Sequence, residues 1–280
     1  MNFRLMSVLY INALPFVNGF FGYTHRFLGR SLAENLNDAN NTASKQFVQG
    51  YIGIDELTKI STWADTIKRK PEFRWTQTLH YIDLEACPRS KYNGKLRHNS
   101  EDPIVSVCHN NCIYTAILNM TNDLKYNRKF ITHEQTVTNI KLLIHFLQDL
   151  FQPMHTFGAH HTRGGNSWKI KVVLPSGKTK TTNMHTLWDS ILPEYYIKHF
   201  DPRVTATEHR RQFSNIYQFE DYLKDEMLVV LSVACGAADK VKGNTISFDD
   251  YFDPDLLGFL FQHYIDFAID TLAFIAETKN

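Results

Sequence analysis

Neither sign of charge is in surplus in this sequence, where 30 Lys and Arg stand against 29 Asp and Glu. Proteins that grip phosphates through basic side chains alone usually show an excess of them, so any phosphate handling here needs bound cations to supply much of the attraction. Long apolar runs are missing too: no stretch past the amino terminus reaches the ~18 uninterrupted residues of a spanning helix. The four cysteines are spaced unlike a zinc finger or ribbon. There is no internal repeat. Hydrophobic residues at 43% and charged residues at 21% exclude a disordered or fibrous chain, and 280 residues suffice for one large core.

The amino terminus reads as an export signal, with Arg4 as the positive start, Leu5 to Phe16 as the apolar run, and Val17 and Gly19 as the small-residue cleavage pattern. Cleavage before Phe20 is expected, which makes residues 1–19 a signal peptide and residues 20–280 a single domain. The expected product is a monomer, secreted or luminal, with no membrane anchor. Export makes the cysteines a framework of two disulfides with three possible pairings. Cys108 and Cys112 are close enough for a local staple, and Cys87 with Cys235 would then close a long loop. Asn40 (N-N-T) and Asn119 (N-M-T) fit the glycosylation acceptor.

Helical spacing dominates the apolar pattern. It recurs over His25–Leu36, Ile54–Ile67, Val107–Met120, Met184–Phe200, Glu208–Leu223, Leu228–Lys242 and Asp255–Glu277. The strongest helix runs from about Thr132, an N-cap candidate, to Phe151, with Pro153 as its stop. Alternation over Trp168, Ile170, Val172 and Leu174, followed by Pro175-Ser176-Gly177, predicts one hairpin. The expected fold is an all-α single domain with one small β-hairpin.

Two pairs carry the chemistry. His145 with Asp149 and His185 with Asp189 each place an imidazole and a carboxylate four residues apart on one helical face. A single such pair is usually an intrahelical hydrogen bond. His145 and Asp149, however, interrupt an otherwise apolar helix, where a buried carboxylate costs several kcal/mol unless paired or metal-bound. His155, just past the Pro153 stop, is a third ligand candidate, and zinc takes both donor types readily.

Trp63-Ala64-Asp65, Leu79-His80-Tyr81-Ile82-Asp83, the run from Leu143 to His155, Gly164-Gly165-Asn166 and Asn183-Met184-His185-Thr186-Leu187-Trp188-Asp189 follow one another in an order that resembles a single family. The chain is similar to the single-strand-specific zinc nucleases of fungi and plants, the class I or 3'-nucleotidase/nuclease type, whose superfamily includes zinc phospholipase C. That resemblance implies three zinc ions. One falls to Asp65, His80, His145 and Asp149, and a second to His155, His185 and Asp189. The third falls to His25, a bridging Asp149, and the free amine and carbonyl of Phe20. The resemblance also implies hydrolysis of single-stranded DNA, RNA and 3'-mononucleotides by zinc-activated water, leaving 5'-phosphates. Asp65, Lys68 and Asp149 are the catalytic assignments, and Tyr81, Asp83 and Asn166 the substrate contacts, with Tyr81 stacking on an unpaired base.

Three departures from the family pattern stand out. Phe20 replaces a common Trp, Lys68 replaces an Arg aimed at phosphate and so offers a point charge in place of a fork, and His160 and His161 occupy a lengthened loop. The rival readings are a phospholipase C and a zinc-binding protein without catalysis. Asp189, where the lipase branch tends to use Glu, and the pairing of Tyr81 with Asp83 favour the nuclease.

Overall fold

The structure, a computed structural model, describes residues 22–84, 103–108, 111–158, 162–208, 210–241 and 243–277. The signal segment, Phe20, Cys87, His160 and His161 lie outside the described residues.

Helices form most of it, as the spacing predicts. Helices α1 (Gly22–Leu36), α2 (Thr42–Tyr51), α3 (Leu57–Ile60) and α4 (Trp63–Ile67) lead into a 3₁₀ helix, Pro71–His80. Then come α5 (Pro103–Cys108), α6 (Ile113–Asn122), α7 (His133–Leu150), α8 (Met184–Thr186), α9 (Leu192–Phe200), α10 (Ile216–Asp239), α11 (Phe248–Tyr251) and α12 (Pro254–Ala276). Thr132 caps α7 in a reciprocal box with Gln135, each side chain bonding the other's backbone N–H at 3.1 and 2.8 Å, a device worth about 1 kcal/mol. Every residue from Leu142 to Leu150 is buried, so the second half of α7 is enclosed on all sides and forms the centre of the molecule. Helix α12 is long and apolar enough to cross a membrane, yet 67% of its apolar window is buried inside the fold, as in a core helix.

The hairpin pairs β1 (Lys169–Val173) with β2 (Thr179–Asn183), in register from Lys169 opposite Asn183 to Val173 opposite Thr179. A third strand, β3 (Thr245–Ser247), adds in parallel to β1. Its three residues with a single buried Ile246 are too short to show a period, which is why the sequence predicts only a hairpin.

Three predicted helices are broken. Ile54–Ile67 divides at Ser61 and Thr62, and Val107–Met120 divides at the Cys108–Cys112 disulfide, whose Cα atoms are 5.2 Å apart. Met184–Phe200 loosens into a π-turn over Leu187–Ile191. Conversely, the stretches predicted as Glu208–Leu223 and Leu228–Lys242 merge into α10, which starts only where Asn215 accepts the N–H groups of Tyr217 and Gln218. Cys235 is also disulfide-bonded, and no described cysteine is free.

Candidate metal centre

Four segments converge on the buried end of α7. His25 comes from α1, Asp65 from α4, His80 from the end of the 3₁₀ helix, and His145 and Asp149 from α7 itself. His155 follows the Pro153 stop, α8 carries His185, and the loosened turn after it carries Asp189. Backbone pairing locks the 80s to the 150s. Ile82 N–H donates to His155 O at 2.8 Å, Leu84 N–H to Thr156 O at 3.3 Å, and Gly158 N–H to Leu84 O at 2.9 Å. Gly158 permits this approach, because a Cβ there would stand 2.5 Å from the Asp83 carbonyl carbon.

The donor atoms form three groups, each within 4.8 Å: His25, Asp65 and His145; His80, His145 and Asp149; His155, His185 and Asp189. Asp149 is the hinge between them. Its Oδ2 lies 2.7 Å from His80 Nδ1 and 3.0 Å from His145 Nε2, while its Oδ1 lies 3.5 Å from His25 Nε2 and 3.6 Å from His155 Nδ1. His185 Nε2 is 3.2 Å from Asp189 Oδ2, and its ring stacks on His155 with centroids 5.1 Å apart. Lys68 Nζ approaches from the rim to 2.6 Å from Asp65 Oδ1.

Outer partners aim the rings. His145 donates from Nδ1 to Ser61 O and His185 from Nδ1 to Gly164 O, both at 2.7 Å, which turns each Nε2 lone pair toward the carboxylates. His25 Nδ1 bonds Gln148 Oε1, and the amide of Gln148 is fixed by donating to Ser61 Oγ at 3.0 Å and Tyr264 OH at 3.2 Å. Gln152 donates its side-chain N–H to Asp189. Gly164 holds its carbonyl in place at φ 60°, where a Cβ would meet Met154 O at 2.7 Å. Gln148, Gln152 and Ser61 are absent from the sequence-based assignment. A polar Gln beside Asp149 in an apolar helix was the one available signal.

The site is electrostatically poised for cations. Burial pushes Asp65 up, but His145 and Lys68 outweigh it and hold the carboxyl below its ordinary value. Against the same burial, His145 and His155 hold Asp149 well below, and His185 lowers Asp189. Burial wins at His80 and His155, bringing each down to about 4, so both are neutral donors over most of the pH range. Burial also opposes a proton on His145, yet Asp149 and Asp65 overcome it and push that ring up to about 9. A proton on His145 and a dication therefore compete for one carboxylate field. Asp149 Oδ1 and His155 Nδ1 are buried without an aligned hydrogen-bond partner, and such atoms cost roughly 1–3 kcal/mol each unless something binds them. The residues present fit a metal cluster of nitrogen and carboxylate ligands.

Among the remaining predicted positions, Tyr81 is 40% exposed next to His80, and Asp83 is half-buried beside Gly158. Asn166 is half-buried and donates from Nδ2 to Arg163 O at 3.0 Å, within its own turn. Asn40 and Asn119 are exposed.

The family described as S1/P1 Nuclease matches residues 23–247. The chain is 32% identical to Endonuclease 3 of Arabidopsis thaliana over 50% of its own length and 43% of that protein. It is 29% identical to Endonuclease 4 of the same plant, over 60% of this chain and 53% of the relative. Nuclease P1 of Penicillium citrinum is 27% identical, over 54% and 51%. The chain thus spans about half the length of the curated relatives it matches. A family match that runs from α1 to β3 and takes in His25, Asp65, His80, His145, Asp149, His155, His185 and Asp189 establishes that the chain belongs to the S1/P1 nuclease family.

Proposed function

We propose that this chain is a zinc-dependent endonuclease of the secretory path. It hydrolyses single-stranded DNA and RNA to 5'-phosphate products and releases phosphate from 3'-mononucleotides. The observation that carries the reading is the convergence of eight His and Asp side chains from separate segments on Asp149 and its neighbours. Donors of this kind suit zinc, and three ions are inferred, held by the ligand sets given above. The third set is completed by Phe20 once residues 1–19 are removed, so the precursor lacks one ligand pair. Residues 20–280 act as one monomeric domain, with sugar on Asn40 and Asn119.

When bound, such ions lower the pKa of attacking water and offset charge on the phosphate and the leaving oxygen. The chain's own residues do the rest. Asp65, Asp149 and Asp189 stay ionised, and Ser61, Gly164 and Gln148 keep three imidazoles aimed. Lys68 brings a positive charge to the rim, where a phosphate enters. Tyr81 offers a ring to an unpaired base, Asp83 accepts from its edge, and Asn166 borders the entrance. A base still paired in a duplex cannot present its face to Tyr81, which gives the preference for single strands a physical cause.

The test is a side-by-side assay of purified protein on heat-denatured DNA, RNA, 3'-AMP and phosphatidylcholine. The first three are hydrolysed and a chelator abolishes all three activities. Turnover of lipid without turnover of polynucleotide would reject the reading.

A further inference from the structure

The 3₁₀ helix Pro71–His80 runs for ten residues, whereas such helices seldom exceed 3–4. With three residues per turn its side chains fall into three ridges. Phe73, Thr76 and Leu79 form the inward ridge: Thr76 and Leu79 are buried, and Phe73 packs on Trp63 at 5.5 Å. A second ridge, Pro71, Arg74 and Gln77, ends at His80 of the metal centre. The third carries Glu72, Trp75 and Thr78 and continues to Tyr81.

The two outer ridges carry what a fold has no internal use for. Trp75 is 54% exposed and makes no ring contact among the described residues. Arg69, Lys70 and Arg74 are exposed and enter no ion pair among the described residues, with Glu72 as the acidic neighbour. Gln77 donates from Nε2 to Lys68 O at 2.9 Å, joining the ridge to the residue whose ammonium reaches Asp65. In a chain with no overall charge surplus, Arg69 and Lys70 just before this helix, and Arg74 and a bare indole on it, thus line one short segment that ends at the candidate ligand His80.

We propose that this helix and the two residues before it form a strand-binding track. Trp75 stacks on a base, and Arg69, Lys70 and Arg74 hold the phosphates of nucleotides beyond the one at the metal centre. The proposal rests on the nuclease reading and deepens it: the preferred substrate is a single-stranded polynucleotide rather than a mononucleotide. A basic surface that follows the backbone beside an aromatic platform is sequence-tolerant, because every base offers a π-face and every linkage a charge.

Kinetics on a short oligothymidylate and on 3'-AMP separate the track from the centre. Trp75→Ala lowers kcat/KM on the oligonucleotide about tenfold, mainly through KM, and leaves 3'-AMP hydrolysis unchanged; Trp75→Phe recovers most of the loss. Replacing Arg69, Lys70 and Arg74 together by Ser flattens the fall of log kcat/KM with log salt by up to ~2, from ~0.7 per phosphate contact. Unaltered oligonucleotide kinetics, or equal losses on both substrates, overturn the track. If the wild-type protein turns over neither substrate, the nuclease reading fails, and fluorescence anisotropy of labelled oligothymidylate still decides: weaker binding by Trp75→Ala supports the track and equal binding sinks it.

Discussion

Two clusters of histidine and carboxylate lie among the helices, one buried around Asp149 and one half-buried, and they neutralise their acids by different means. Between α10 and α12, His263 Nδ1 meets Glu226 at 2.7 Å, and Arg210 NH1 lies 3.1 Å from Asp266 and 3.7 Å from Asp270. A guanidinium is always charged, so much of that balance is permanent. Around Asp149 the acids face imidazoles, whose charge is conditional, and Lys68 stands at the edge. The same residue types thus make a structural knot in one place and a cation trap in the other. The difference lies in fixed positive charge and in lone pairs that converge on common points.

The largest test of that difference removes its hinge. Asp149→Asn abolishes nuclease activity, by more than about a hundredfold, and lowers metal content measured by atomic emission. Unchanged stoichiometry would mean Asp149 joins no two sites. Chelation comes next. Ions held at 100–1,000 times their dissociation constant contribute about 3–4 kcal/mol, so stripping them drops the melting temperature by about 5–15 °C, in Arg210→Gln as much as in the wild type. A smaller drop in the variant would couple the two clusters.

Gln148→Leu leaves every proposed ligand in place but frees the His25 ring, and metal affinity falls about 10–100-fold by titration with a competing chelator. Circular dichroism should show the helices intact. The smallest effect belongs to the second cluster. Burial, against the pull of Arg210, raises Asp270 from 3.8 to about 6. The folded state therefore favours protonated Asp270, and this contribution is full below about pH 4 and lost as pH rises through 6. Asp270→Asn matches the wild type at pH 4 and exceeds it at pH 7 by about 1–3 kcal/mol in urea denaturation. A constant offset across that window would show that the carboxyl does not titrate there.

Two of the candidate ligand pairs were legible in sequence because metal chemistry admits few residue types and helical spacing pairs them: His145 with Asp149 and His185 with Asp189 announce themselves, whereas His25, Asp65 and His80 were reached only through the family resemblance. Thr132 and Pro153 likewise bound α7 by local rules. What the pattern hides is set by contacts distant in sequence. Ser61 looks like part of a continuous helix until His145, 84 residues away, claims its carbonyl. Gln148 reads as a polar accident until Tyr264 and His25 close around it. β3 gains meaning only when β1 is beside it. A 3₁₀ period over Pro71–His80 is no easier to see, since a search for turns of 3.6 residues passes over a repeat of three.

The break between α5 and α6 has one more effect. Cys112 is the N-cap residue of α6, and the first helical residue, Ile113, gives its N–H to Tyr81 O at 3.1 Å. The staple from Cys108 therefore fixes the start of α6 next to the backbone bond that holds Tyr81. Reducing that disulfide would loosen the backbone anchor of Tyr81, tying the seating of this exposed ring to the redox state of the surroundings.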